Sequence, residues 1–188
     1  MLLNGALMSL YLQTNIKRYA GTIEKMAVHD IMTGMLNRRG YMEQAPAVME
    51  QARKQQKVFA LLSMDMDHMK MINDEYGHLM GDEAICRMGK ALRVLEQHGI
   101  TPVHISGDEF LAYGIKDTEE EASRLIGIIN NELDEHNYSD PWICAISASI
   151  GLYAAVPQEG DTLDAFMTKA DRAMYINKNQ KKHRRKGD

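Results

Sequence analysis

Residues 57–70 read KVFALLSMDMDHMK, and this stretch decides the fold. The apolar run over residues 57–65 is typical of a strand at the centre of a sheet. It ends in Asp65 and Asp67, at the carboxyl end of the strand, which is where ligands gather in α/β sheets. Because side chains alternate along a strand, the two carboxylates are expected on the same side. The stretch therefore predicts a buried strand that carries acidic groups to the edge of a binding site.

The segments around this strand alternate between helix and strand patterns. Asn37 can cap a helix expected to reach about Gln56, and Gly107 with Asp108 predicts a tight hairpin between two apolar runs. The other expected elements are a turn-rich stretch at residues 73–82, helices at about 82–98, 118–137 and 163–177, and a strand at 142–156. The order β-α-β-β-α-β-α predicts a single α/β domain with a mixed central sheet flanked by helices.

Residues 1–28 precede this domain and carry apolar side chains mostly three, four or seven positions apart. This spacing predicts an amphipathic N-terminal helix. The opening MLLNGALMSLYLQ lacks a basic leader and is too short to span a bilayer, although it fits the exit end of a membrane helix in a longer receptor. We therefore expect a helix over residues 1–28, a folded domain over 29–180 and a basic tail over 181–188.

The charge of the chain is unevenly distributed. Its 188 residues include 22 Lys and Arg and 26 Asp and Glu, which gives a net charge of −4. Six of the basic residues lie within residues 178–188, so the body of the chain is distinctly acidic. An acidic body excludes a broad contact with a nucleic-acid polymer, and a short basic terminus is ordinarily solvated.

The cysteine and histidine patterns exclude other classes of site. Cys86 and Cys144 each lie in an apolar-rich stretch without a secretory signal, which indicates two buried thiols in a reducing, cytoplasmic protein. The seven histidines never fall three or four residues apart, so a zinc site is not expected. The sequence also has no G-x-x-x-x-G-K-[ST] loop and no G-x-S-x-G elbow, which excludes the usual P-loop and serine-hydrolase signatures.

Two acidic clusters are candidates for metal binding. Asp65 and Asp67 follow the central strand, and Asp108 with Glu109 lies at the hairpin tip. If the strands are neighbours, carboxylates from both clusters meet, and such hard oxygen ligands suit Mg²⁺ bound together with substrate phosphates. The alternative is structural, with Gly107 and Asp108 as a plain turn and Asp67 as a helix cap.

A nucleotide site is indicated by the residues that follow the first cluster. His68, Met69 and Lys70 open a helical turn whose free N–H groups can receive a phosphate. Downstream, Asn73 and Asp82 flank a glycine-rich turn. A carboxylate beside a purine accepts hydrogen bonds from N1–H and the 2-amino group of guanine, which adenine cannot offer, and this would select GTP. Asp82 as the cap of the following helix is the alternative.

Taken in order, four blocks of sequence resemble the GGDEF, or diguanylate cyclase, family. They are residues 30–39 (DIMTGMLNRR), residues 65–74 (DMDHMKMIND) with GH at 77–78 and GD at 81–82, residues 106–110 (SGDEF), and residues 170–178 (ADRAMYINK). The resemblance implies a palm-like, nucleotidyl-cyclase-like domain that condenses two GTP into cyclic di-GMP and two pyrophosphates. It implies Mg²⁺, or Mn²⁺, as the metal.

The resemblance also implies roles for individual residues. Asp65, the Met66 carbonyl, Asp108 and Glu109 would hold the metal, and Asp108 or Glu109 would help to deprotonate the attacking 3′-hydroxyl. The implied substrate-binding residues are Asn73 and Asp82 for guanine, Lys70, Lys178 and Lys182 for the phosphates, and His68, Met69 and Gly107 beside them.

The reaction needs two domains face to face, because each holds one GTP. A catalytic homodimer is therefore implied, with the N-terminal helix either as a parallel coiled coil or as a connector from a sensory or membrane-bound region upstream in a longer parent chain. A catalytically silent domain that binds GTP or an effector is the competing interpretation. An interaction module that works through the N-terminal helix and the basic tail is a third.

Three positions depart from the family pattern. Ser106 replaces the first glycine of the signature, and Lys182 stands where the family usually has arginine, which keeps the charge but loses the bidentate fork. Residues 97–100 read QHGI where the product-inhibition motif R-x-x-D is expected, so feedback through that site is expected to be absent.

Overall fold

The computed structural model of the chain describes residue 15 and residues 27–140 and 142–184. Most of the expected N-terminal helix at residues 1–28 and the end of the basic tail lie outside these residues. No helix in the described ranges is long and apolar enough to cross a membrane.

A four-stranded sheet forms the centre of the domain. Its strands are β1 (Val58–Met66), β2 (Ile100–Ser106), β3 (Glu109–Lys116) and β4 (Ala148–Ala155), in the order β2-β3-β1-β4. β1 pairs antiparallel with both β3 and β4, and β3 pairs antiparallel with β2. The predicted hairpin is confirmed, and β1 lies between two partners as its apolar run indicates.

The prediction of an α/β fold is confirmed, but the prediction that its sheet is mixed is wrong. The helical crossover from β1 leads to β2, but the hairpin then places β3 between them. Every hydrogen-bonded neighbour among the four strands is therefore antiparallel. One isolated parallel bridge, between Leu36 and Val103, lies outside the named strands.

Helices cover both faces of the sheet. They are α1 (Arg38–Gln55), α2 (Met69–Tyr76), α3 (His78–Leu92), a 3₁₀ helix (Arg93–His98), α4 (Glu119–Ser139) and α5 (Leu163–Arg184). One core lies between the sheet and α2, α3 and α4, and a second lies between the sheet and α1 and α5. Successive residues of β1 alternate between the two cores, so the sheet separates two layers of helix.

Several helix boundaries differ from those expected. The stretch at 73–82 is almost entirely helical and is interrupted only at Gly77, whose φ of +83° separates α2 from α3. The last helix continues to Arg184 rather than ending near residue 177, so the first part of the basic tail is helical. The strand expected from residue 142 begins at Ala148. Cys86 and Cys144 are free thiols that are partly rather than fully buried.

The last helix lies directly on the sheet at Gly151. A Cβ atom at this position would lie 2.0 Å from the backbone nitrogen of Met174 and 2.2 Å from the carbonyl oxygen of Ala170. No side chain fits between the two backbones, so glycine is required for this approach. The contact fixes α5 beside β4 and β1, and it determines where the lysines near its end are placed.

Candidate active site

The end of β1 and the hairpin tip come together, as the sequence predicts. Asp65 lies opposite Glu109 in the β1–β3 register, and the Met66 amide donates to the carbonyl of Asp108 at 3.0 Å. Directly opposed residues in an antiparallel pair have Cα atoms about 4.5–5.5 Å apart. Acidic groups that are distant in the sequence are therefore neighbours in the fold.

The hairpin tip is held by local hydrogen bonds. Gly107 has a φ of +51°, which glycine adopts at little cost. Ser106, at the departure from the family signature, donates its hydroxyl to the Glu109 carboxylate at 3.1 Å. His104 is buried and places Nε2 3.0 Å from the Gly107 carbonyl and Nδ1 2.9 Å from Asp30. The tip is thus tied back to the turn that precedes α1.

A cleft of about 480 Å³ connects the hairpin tip with α2 and α3. Its size is within the range of small-molecule sites. The cleft is lined by ten residues from these elements, namely Met69, Lys70, Asn73, Asp74, His78, Gly81, Asp82, Ile85, Gly107 and Asp108. Most of the predicted substrate-binding residues therefore lie on one cavity, next to Asp108 of the predicted metal site.

Gly81 makes room for the Asn73 side chain. A Cβ atom at Gly81 would lie 2.0 Å from Asn73 Oδ1, so a larger residue would displace the amide. Asp82 follows inside α3, which begins at His78 with Gly77 as its N-cap. The alternative in which Asp82 caps the helix is therefore wrong, and its carboxylate is left to line the cleft.

The first turn of α2 is placed beside the same cleft. The helix begins at Met69, and its N-cap residue His68 has a left-handed φ of +67°. The first amides of a helix have no partner within it, so they can bind an anion, and Lys70 adds a positive charge. This agrees with the predicted helical turn at His68, Met69 and Lys70.

Three polar contacts join β1 and the residue that follows it, Asp67, to α5, and we call them the β1–α5 seam. Ser63 donates to Asp171 at 2.5 Å, and Lys178 Nζ lies 2.5 Å from Asp65 Oδ1. Lys181 Nζ lies 2.9 Å from Asp67 Oδ2. Ser63, Asp65 and Asp67 are two residues apart, and because side chains alternate along a strand, all three point towards α5. Lys178 thus contacts the predicted metal ligand Asp65.

Asp67 is the more completely satisfied of the two aspartates. It accepts hydrogen bonds from the hydroxyls of Ser149 at 2.7 Å and Ser147 at 3.0 Å as well as from Lys181. Burial alone raises the pKa of Asp67, but the hydrogen bonds from Lys181 and the serines outweigh it and hold the pKa below the usual 3.8. This carboxylate is therefore a structural anchor rather than the helix cap that the sequence allowed.

Lys181 is a residue that the sequence analysis missed. Its ammonium also donates to the carbonyl of Ala148 at 2.6 Å, so it joins α5 to the start of β4 as well as to Asp67. The signal was its spacing of three residues from Lys178, which matters only if α5 extends beyond residue 177. The side chain of Lys182 lies outside the described part of the chain.

The donor groups fit a magnesium-type ion. Asp65 has only 15% of its side chain exposed and is paired with an ammonium group, so its position already accommodates a cation. Within the described ranges, no three His, Cys, Asp or Glu side chains converge as a complete metal site. Mg²⁺ ordinarily takes one or two carboxylates and completes its shell with water and substrate phosphates. Asp65, opposite Glu109 in the β1–β3 register, supplies one such carboxylate.

Asp108 and Glu109 open onto different sides of the site. Asp108 lines the cleft beside α2 and α3. Glu109 is exposed and lines a second cavity of about 460 Å³ between α1 and α5, together with Ser63 and Asp171. The predicted acidic pair therefore spans the sheet edge instead of facing one cavity.

Comparison with known proteins identifies the family. The model of the diguanylate cyclase, GGDEF domain family matches residues 27–184. The chain belongs to this family. Diguanylate cyclase DgcP of Escherichia coli is 31% identical over 158 residues, which cover 84% of this chain and 45% of DgcP. Diguanylate cyclase VdcA of Vibrio cholerae is 26% identical over 175 residues, covering 91% of this chain and 50% of VdcA. The GGDEF chain thus spans about half the length of these relatives.

Solved GGDEF structures share the fold. The coiled coil and GGDEF domain of DgcB from Caulobacter crescentus, in complex with c-di-GMP, has a TM-score of 0.81 at 19% identity and covers 96% of each chain. A sensory box/GGDEF family protein from Caulobacter crescentus has a TM-score of 0.71 at 29% identity, covering 81% of this chain and 99% of that one. The resemblance to the GGDEF family is therefore confirmed.

Proposed function

We propose that this GGDEF domain is an active diguanylate cyclase that condenses two GTP into cyclic di-GMP and two pyrophosphates. The observation that carries the proposal is the single cleft onto which Asn73, Asp82 and Asp108 open, next to Asp65. A base-reading side and an acidic side in one cavity are what a nucleotide condensation requires. Family membership supports cyclic di-GMP synthesis in general terms.

Guanine recognition is assigned to the α2–α3 side of the cleft. The Asp82 carboxylate accepts hydrogen bonds from N1–H and the 2-amino group of guanine, and the Asn73 amide hydrogen-bonds the base from the neighbouring helix. Gly81 supports this role because it leaves the space that the Asn73 amide occupies. Adenine presents no donor at N1 or C2, so ATP would leave the carboxylate unpaired.

Phosphate binding is assigned to the start of α2 and to α5. The amides at the start of α2, beside His68 and Met69, receive phosphate oxygens, and Lys70 adds charge. Gly107 lets the backbone of the hairpin tip approach the nucleotide closely. Lys178 and Lys182 of α5 complete the set, with Lys178 reaching from its position beside Asp65.

The reaction forms one phosphorus–oxygen bond and breaks another in each of its two steps. The 3′-hydroxyl of one GTP attacks the α-phosphorus of the other, the bond to the β-phosphate breaks, and pyrophosphate leaves. Asp108 or Glu109 accepts the hydroxyl proton. Asp65, the Met66 carbonyl, Asp108 and Glu109 would hold Mg²⁺ or Mn²⁺, which stabilises negative charge on the α-phosphate and the leaving pyrophosphate.

Catalysis by a homodimer follows from this stoichiometry. Each domain has one guanine cleft, and the product joins two guanosine units, so two domains must bring their nucleotides together. The expected helix over residues 1–28 would align them, as a coiled coil or as the connector from an upstream sensory or membrane-bound region. We place the domain in the cytoplasm, where GTP is available, and infer no feedback through residues 97–100.

A product assay tests the proposal. The protein is incubated with GTP and Mg²⁺, its dimeric state is verified by light scattering, and pyrophosphate and nucleotide products are measured. We expect cyclic di-GMP and two pyrophosphates per product. Asp108→Asn should abolish product while leaving the circular dichroism spectrum and thermal unfolding unchanged. GTP that is bound but not consumed by the verified dimer would instead identify a catalytically silent domain.

A further inference from the structure

Two lysines of α5 contact the two aspartates at the end of β1, and the surroundings of the pairs differ. Around Asp67, Ser147 and Ser149 donate to the carboxylate, and Lys181 donates both to it and to the Ala148 carbonyl. Only 9% of the Asp67 side chain is exposed. Each member of this pair has further partners, so the pair belongs to the permanent frame of the domain.

The Asp65–Lys178 pair has no such support. Within the described part of the chain, Lys178 is the one group that hydrogen-bonds the Asp65 carboxylate, at 2.5 Å. The carboxylate is 15% exposed and the lysine side chain 29%. The ammonium compensates a charge that would otherwise be partly desolvated and unpaired. Because the Lys178 ammonium is carried by a flexible four-carbon side chain, it can move away from Asp65 when another anion binds nearby.

A divalent ion at Asp65 would compete with this ammonium. Mg²⁺ binds carboxylate oxygens at about 2.0–2.1 Å, and the ammonium occupies the approach to Oδ1 at 2.5 Å. Two cations at one carboxylate also repel each other. Metal binding at Asp65 therefore requires Lys178 to move, and its charge then needs a new partner. A triphosphate beside the site would supply that partner.

We propose that Lys178 makes metal loading of the site depend on nucleotide. Without nucleotide, the Lys178 ammonium neutralises the Asp65 carboxylate and weakens the binding of divalent ions to it. When a nucleoside triphosphate binds, its phosphates pair with the Lys178 ammonium, and the Asp65 carboxylate becomes available to the metal. Because such coupling is reciprocal, metal and nucleotide each raise the affinity for the other. The inference rests on the proposed function, since it takes Asp65 as a metal ligand next to the phosphates.

Binding of Mn²⁺, measured by electron paramagnetic resonance on the full chain, tests this role without any turnover. Lys178→Met removes the charge at similar volume, and Lys178→Gln provides a second uncharged variant. Lys169→Met is the matched control, because Lys169 lies on the same helix but contacts Tyr153 instead of Asp65. Thermal unfolding verifies that all variants fold.

We expect Mn²⁺ to bind both Lys178 variants at least tenfold more tightly than the nucleotide-free wild type, with Lys169→Met unchanged. A non-hydrolysable GTP analogue should raise the Mn²⁺ affinity of the wild type at least tenfold and that of the Lys178 variants much less. Folded Lys178 variants that bind Mn²⁺ no more tightly than the wild type, or that keep the full response to nucleotide, would overturn the proposal.

Asp65→Asn, combined with Lys178→Met, separates this inference from the proposed function. If the added substitution leaves Mn²⁺ binding intact, the metal is not held at Asp65, and the metal assignment of the proposed function fails together with the inference. If the added Asp65→Asn substitution abolishes Mn²⁺ binding, but Lys178→Met alone does not tighten that binding, then the assignment of the metal to Asp65 is supported. In that case only the competition between Lys178 and the metal is refuted.

Discussion

The cleft beside α2 and α3 and the β1–α5 seam lie on opposite faces of the same sheet, and their polar groups are satisfied differently. In the cleft, no hydrogen bond from another described residue reaches the Asp82 carboxylate. In the seam, Asp65 and Asp67 are both neutralised by lysines of α5. The cleft therefore offers its polar groups to a ligand, while the Asp67–Lys181 pair of the seam holds the last helix in place. Substitutions should separate binding from stability along this division.

The largest effect is expected at Gly151, which holds the seam but does not line the cleft. Gly151→Ala places a Cβ atom 2.0 Å from the Met174 nitrogen, so α5 must move away from β4. We expect the free energy of unfolding to fall by about 3 kcal/mol. Urea denaturation measures it. Gly127→Ala is the control, because a Cβ atom there has no neighbour within 4 Å and should stabilise α4 by about 0.5–1 kcal/mol.

A smaller loss of stability is expected when Lys181 loses its charge. Lys181→Met leaves the nearly buried Asp67 carboxylate with two serine hydroxyls as its remaining side-chain donors among the described residues. Breaking a buried ion pair costs about 3–5 kcal/mol, and because Lys181 is 38% exposed we expect about 2 kcal/mol in urea denaturation. Lys169→Met, measured in parallel, should change stability by less than about 1 kcal/mol. Equal effects of the two substitutions would refute an anchoring role for Lys181.

The cleft should respond in the opposite way, with a loss of binding and little loss of stability. Gly81→Ala displaces the Asn73 amide, which lies 2.0 Å from the added Cβ atom. We expect the affinity for a non-hydrolysable GTP analogue to fall about tenfold, equivalent to about 1.4 kcal/mol. Calorimetric titration measures it. The Gly81→Ala and Asn73→Ala double variant should lose no more than Asn73→Ala alone, and additive losses would contradict the mechanism.

Acid should weaken the β1–α5 seam at Asp67. Lys181 and the two serines lower the pKa of Asp67 in the folded protein despite its burial, so its ionised form contributes stability above the unfolded value of 3.8. That contribution is lost as the pH falls through the lowered folded-state pKa. The free energy of unfolding should therefore decline more steeply below about pH 4 in the wild type than in Asp67→Asn. Identical slopes would show that Asp67 does not carry this dependence.

The sequence predicted the local elements around the cleft because each is encoded by adjacent residues. The end of β1, the helix start after His68 and the hairpin at Gly107 are a strand end, a helix start and a tight turn. Strand order is not local, since the antiparallel sheet depends on β3 pairing between β1 and β2. The mixed sheet was wrong for that reason.

The seam was harder to predict, because it depends on the length and the position of α5. Lys181 contacts Asp67 only because the helix continues to Arg184 and lies on Gly151. A basic run near a chain end otherwise resembles a solvated surface. The capping role considered for Asp82 was excluded only by the position of Gly77, which starts α3 earlier than expected.

The selectivity of the cleft for guanine tests the central claim most directly. Calorimetric titration of the wild type and Asp82→Ala with non-hydrolysable GTP and ATP analogues, at fixed Mg²⁺, measures it. We predict that the wild type binds the GTP analogue at least a hundredfold more tightly, about 2.7 kcal/mol, and that Asp82→Ala loses most of this preference. Equal affinity of the wild type for the two analogues would contradict the account.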